Sequence, residues 1–177
     1  TIQEILEMHQ NWLNGNGGTR LVWNDLSAYA KVNLKNATLE NVNLRSANLE
    51  GANLEKVNLI NANLENAILI NAILSDANLE SANLKGATLN GAILRRAKLI
   101  DAILINANLE FANLINANLE GAILIRANLK GVDLEGANLK GANLKGANLV
   151  GANLEGSYLE DVSYYHLQCS EIGSFIK

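Results

Sequence analysis

Proline is absent, and with only 14 glycines in 177 residues neither a proline-rich nor a collagen-like reading survives. The single cysteine, Cys169, excludes an internal disulfide and a cysteine-built zinc site within one chain. Aromatic residues are 5% of the sequence and histidines number two, a thin inventory for catalysis. Neither sign of charge dominates: 18 acidic residues against 14 basic ones leave a net charge of −4. That balance lacks the basic footprint expected of a nucleic-acid or membrane binder. Long apolar runs are missing as well. The uncharged stretch Asn66 to Ser75, rich in Ile, Leu and Ala, is 10 residues, about half a membrane span.

What the sequence has instead is a repeat. Leucine occupies every fifth position from Leu34 to Leu159, 26 times without a gap. Two residues before each leucine stands Ala in 21 cases, Val in four and Ser once. Asn immediately precedes 16 of the 26 leucines, and Gly stands two after 10 of them. The unit is therefore Ala–Asn–Leu–X–X, and its positions are numbered one to five below.

A period of five suits neither regular element. On an α-helix five residues advance about 140° net, so the leucines would coat every side. On a flat strand an odd spacing sends successive leucines to opposite faces. Within one unit, however, the pattern reads in, out, in, out, out. A chain that must return inward after two outward residues has to turn a corner at the fifth. Gly and Asn tolerate the backbone angles such corners demand. The expected fold is all-β: a β-solenoid of short straight segments with Leu and Ala always inside, stacked at about 4.8 Å.

Tandem units such as ANLKGANLKGANLVGANLEG, Ala137 to Gly156, resemble the pentapeptide-repeat family, abundant in cyanobacteria and other bacteria. The resemblance covers about Val32 to Asp161 and implies a right-handed, quadrilateral β-helix with four pentapeptides per coil. The corner every five residues follows from the pattern; the number four comes from the resemblance. On that count the array makes about 6.5 coils, roughly 31 Å tall.

A solenoid exposes its core and its unpaired edges at both ends, so caps are expected. Ile2, Ile5, Leu6, His9, Trp12 and Leu13 fall on one helical face, with Gly15, Gly17 and Gly18 beyond to end the helix. The chain divides into an N-terminal helical cap over 1–20, the repeat solenoid over 21–163 and a C-terminal cap or tail over 164–177. Trp23 and Tyr29 are expected to cover the first coil.

No catalytic motif appears, so the chain is read as non-enzymatic, with no catalytic, metal or cofactor-binding residues and no cofactor. His9 and His166 lie near opposite ends of the rod and are read as packing residues. The Asn column is read as a structural ladder of stacked amides. One alternative function is a DNA mimic that binds DNA gyrase, as members of the resembled family are thought to do. A 31 Å mimic would need roughly −18. From Val32 to Asp161 there are 14 carboxylates and 11 cations, interspersed, so the net charge is too small.

The favoured reading is a structural, protein-interaction module that presents a rigid surface to a protein partner. Its candidate contact patch is Ile103, Ile105, Ile123 and Ile125, all at outward positions and 20 residues apart in pairs. A secondary patch is Ile68, Ile70 and Ile73, wrapping a corner. The expected association is a protein partner or a weak homodimer, with no nucleic acid and no membrane. The cytoplasm is the expected location; a lumen or the periplasm stays open because the sequence begins at Thr1 and its true start is not in view.

Overall fold

The computed structural model describes residues 2–18, 20–21 and 34–165. The expectations for Trp23, Tyr29, His166 and Cys169, and for the tail beyond Tyr165, fall outside the described residues. From Leu34 onward the backbone is one continuous coil. Every bridge in it is parallel and joins residue i to residue i+20, from Thr38 with Asn58 to Asn143 with Ser163. One turn of the coil is therefore four pentapeptides, and residues 20 apart lie directly above one another.

All 26 fifth positions, from Asn36 to Asp161, have φ between +54° and +71°. Ten are glycines and sixteen carry side chains, mostly Asn, Asp and Ser. These are the corners anticipated from the repeat. They also explain why no continuous strand forms among the described residues. Between two corners only the second-position residue pairs on both edges, so each side contributes single bridges rather than a ladder.

The backbone donors of one unit account for themselves completely. In 137–141, Ala137 N–H donates to Leu134 O at 2.9 Å, turning the corner. Asn138 donates down to Ala117 O at 2.9 Å, and Leu139 and Gly141 donate up to Tyr158 O and Glu160 O, both at 2.8 Å. The fourth, Lys140 N–H, points along the side, and the Asn138 side-chain Oδ1 accepts it at 3.0 Å. The same bond recurs wherever Asn43, Asn53, Asn63, Asn113 or their equivalents hold the second position. Asn is thus first a local cap for its own side. It is also a rung of a vertical ladder: Asn138 Nδ2 donates to Asn118 Oδ1 at 3.1 Å and Asn128 Nδ2 to Asn108 Oδ1 at 3.0 Å.

Inside, the leucines and alanines form a single buried column from Leu34 to Leu154, most of them wholly inaccessible. The N-terminal end is covered by α1, Ile2–Leu13, whose Ile2, Ile5 and Leu6 pack against that column. Gly18 follows at φ +80°, so close to the helix that a Cβ there would strike the Met8 carbonyl. His9 is fully buried on the inner face of α1. Its Nδ1 accepts the Leu21 N–H at 3.0 Å, and the Leu21 carbonyl in turn accepts the Asn48 N–H at 2.7 Å. His9 therefore stitches the cap to the solenoid, a specific bond rather than the general packing expected of it. No helix among the described residues is long and apolar enough to cross a membrane.

Candidate interaction face

The 20-residue register sorts the outward residues into four sides. The second side carries Asn43, Asn63, Asn83, Ile103, Ile123, Asn143 and Ser163 at its bridge positions. Ile103 bridges Ile123 directly, and Leu104 and Asn106 donate to the Ile123 and Ile125 carbonyls at 2.8 and 3.0 Å. Ile103, Ile105, Ile123 and Ile125 thus form a two-by-two block on adjacent coils. Each is half-buried, as are most second-position residues of the rod.

This block breaks the local rule of the fold. An isoleucine at the second position has no acceptor for the N–H two residues on. Ile105 and Ile125 lose the cap that Lys140 keeps, and so do Ile70, Ser75 and Arg95 beside Ile68, Ile73 and Ile93. Forfeiting a bond worth about 1 kcal/mol at each site is not what stability alone would choose.

The secondary group is split between two sides. Ile68 bridges Asn48 and Thr88 on the third side, whereas Ile73 bridges Asn53 and Ile93 on the fourth, around the corner at Asn71. Ile93 continues that column and is 37% exposed. It was missed at the sequence level although its spacing of 20 from Ile73 announced it. Phe111 is the other omission. It occupies a corner at φ +59°, is 64% exposed, and lays its ring over Gly131, with Lys130 Nζ 5.7 Å from the ring centroid.

Five ion pairs among the described residues are vertical, joining side chains one coil apart. Lys35–Glu55 stand at 2.8 Å, Arg96–Asp76 at 2.7 Å, Lys130–Glu110 at 3.0 Å, Lys140–Glu160 at 3.1 Å and Arg45–Glu65 at 3.7 Å. The Arg96 guanidinium grips Asp76 with two bonds and holds its carboxyl below the usual range; Lys35 does the same to Glu55. Such exposed pairs contribute little stability, but they reinforce the register. Other charges stand outside these pairs, those around the isoleucine block among them. Among the described residues Lys85, Asp101, Arg126 and Lys145 have no ion-pair partner.

Among the described residues no cluster of His, Cys, Asp and Glu could hold a metal ion. His9 Nε2 is buried without a hydrogen-bond partner, and burial, together with the nearby Arg20 charge, pushes the ring's pKa down; the Arg45 backbone opposes this.

The sequence matches the profile of pentapeptide repeats, in 8 copies, over 30–59, 58–96, 92–131, 102–141 and 122–161. The chain belongs to the pentapeptide repeat family. The right-handed quadrilateral β-helix of that family accounts for the 20-residue bridge register. Among solved structures, this pentapeptide repeat protein is similar to HetL, a pentapeptide repeat protein involved in heterocyst differentiation regulation from the cyanobacterium Nostoc sp. strain PCC 7120. The two share 34% identity over 71% of this chain and 73% of HetL, with a TM-score of 0.22. A pentapeptide repeat protein of the Arabidopsis thaliana thylakoid lumen is 25% identical over 67% of this chain and 76% of its own, with a TM-score of 0.49. QnrB1, a plasmid-mediated fluoroquinolone resistance protein, is 20% identical over 77% of this chain and 76% of its own, with a TM-score of 0.46. No curated protein matches the chain.

Proposed function

We propose that this pentapeptide repeat protein is a non-enzymatic interaction module whose working surface is the second side of the solenoid, centred on Ile103, Ile105, Ile123 and Ile125. The observation that carries the reading is the local exchange of hydrogen bonds for apolar surface. Both bridge positions of this block give up the Asn cap and the Asn ladder, on adjacent coils of one side, with unpaired charges around them. Ile68, Ile70 and Ile73 form a lesser, divided patch. The cap over 1–20, the solenoid over 21–163 with roughly 6.5 coils, and the tail over 164–177 make up the proposed layout. The cytoplasm is its proposed location. Opposite charges paired coil by coil weigh against a gyrase-directed DNA mimic, which needs one sign segregated on a face.

The test is the double variant Ile105→Glu with Ile125→Glu. Both side chains are outward, so the buried Leu and Ala column is untouched and the melting curve should be retained. Association with any protein, a second copy included, should be lost because two carboxylates would be desolvated against apolar surface. Unchanged association by the folded variant refutes the proposal.

A further inference from the structure

Resting on that contact face, we infer that its occupant is a second copy of this chain, packed side by side and parallel. The charges beside the isoleucines, Asp101 on one edge and Arg126 on the other, set the orientation.

On the coil of Ile103 the order across the side is Asp101 at one corner, Ile103, Ile105, and Asn106 at the other corner. On the next coil it is Gly121, Ile123, Ile125 and Arg126. Asp101 leans upward: a Cβ on Gly121 would collide with its Oδ1, so the carboxylate lies at the level of the Gly121 coil. Arg126 stands on that same coil at the opposite corner, its Cγ 3.4 Å from where a Gly146 Cβ would be. One edge of the face is thus anionic and the other cationic; the Asp101 carboxylate reaches the height of the Arg126 backbone, from which the Arg126 side chain rises toward the Gly146 coil.

A two-fold axis running along the rod reverses left and right but keeps height. It sets Ile103 against the partner's Ile105 and Ile123 against the partner's Ile125, and it brings the Asp101 carboxylate opposite the partner's Arg126. The pairing occurs twice, as a closed two-fold interface requires. Lys85 and Lys145 then face the second-position residues of the other copy, Asn83 and Asn143, which are amides. An axis across the rod reverses height instead. It stacks Lys85 on the partner's Lys145 and leaves both Arg126 residues along one edge, so like charges meet and the antiparallel pair is disfavoured. Asp101 and Arg126, neither of which has an ion-pair partner among the described residues of one chain, are brought to one seam by a parallel copy.

The footprint sets the strength. One side is a strip about 30 Å long and 10 Å wide, so the pair covers roughly 600 Å² in all, below the ~1,200 Å² of stable complexes. The dimer is therefore weak and reversible.

Sedimentation equilibrium of the full chain up to about 1 mM tests this. The wild type should self-associate reversibly. Asp101→Arg or Arg126→Asp alone should weaken association by at least about tenfold, because each places like charges together. The double exchange Asp101→Arg with Arg126→Asp should restore it, which also shows that neither substitution acts by unfolding the chain. Lys85→Glu should leave association unchanged; strengthening would mean an antiparallel pair and overturn the parallel one. A wild type that stays monomeric over the whole range, or a double exchange that fails to rescue, overturns the second copy. The contact face itself would then still stand or fall on the double-glutamate variant.

Discussion

The corner glycines allow backbone strain and side-chain collision to be separated. Gly131 and Gly141 have nearly the same left-handed backbone, φ +61° and +65°. A Cβ on Gly141 meets nothing within 4 Å, whereas one on Gly131 comes within 2.5 Å of Cδ1 and Cε1 of Phe111. Alanine in this backbone region costs about 1–2 kcal/mol, offset by roughly 0.4–1 kcal/mol from a less flexible unfolded chain. Gly141→Ala should therefore destabilise by at most about 1.5 kcal/mol. Gly131→Ala carries the same balance and must also evict the ring. Phe111 hides about a third of its surface, on the order of 70 Å², worth close to 2 kcal/mol. Its Lys130 contact adds about 0.5 kcal/mol. The expected difference between the two alanine variants is about 2 kcal/mol. Urea unfolding followed by circular dichroism measures it, with the midpoints compared because a repeat array need not unfold in one step. In a Phe111→Ser background the difference should shrink to a few tenths of a kcal/mol. Equal costs for Gly131→Ala and Gly141→Ala in the wild-type background would refute the packing of the ring on that corner.

Three other outcomes follow from the same geometry. Leu94→Ala at mid-rod should cost on the order of 2–5 kcal/mol through the cavity it leaves, and Ala92→Leu should be at least as damaging because stacked coils leave no room; neutral results in thermal melts would mean the inward register is wrong. His9 is held neutral, its pKa below the ordinary value near 6.5, so its contribution is complete above that value. It should decline as the pH falls below it, since protonating Nδ1 sets a second donor against the Leu21 N–H; cap stability that is flat between pH 7 and pH 5, followed by amide exchange in α1, would contradict this. The Ile105 and Ile125 amides, which lack an Asn acceptor, should exchange faster than those of Lys140 and Lys145 in native-state hydrogen exchange, and equal rates would show that the cap does not matter.

How far the sequence could be read depended on the range of each interaction. Leu94 and Ala92 announce their burial within five residues, and Asn36 or Gly51 announces a corner, because both are properties of the local pattern. The interplay of Phe111 with Gly131 needs the 20-residue register, which the repeat alone does not state. The Asn138 bond to Lys140 was hidden for a different reason. Asn is equally well explained as a rung of the vertical ladder, and it serves as both. His9 was read as packing, since nothing in a lone histidine of an amphipathic helix names Leu21 as its donor. The expectation of strands met a physical limit: corners five residues apart leave one bridging residue per side.

One side of this pentapeptide rod is its proposed contact surface. Two double-glutamate variants test it most directly. Ile105→Glu with Ile125→Glu alters the second side; Ile60→Glu with Ile100→Glu adds the same charge on the neighbouring one. Association is read by sedimentation and by quantitative co-purification, with melting curves as the check on folding. Loss of association in the first variant alone is the predicted result. Two variants that associate like the wild type, or that lose association equally, would contradict it.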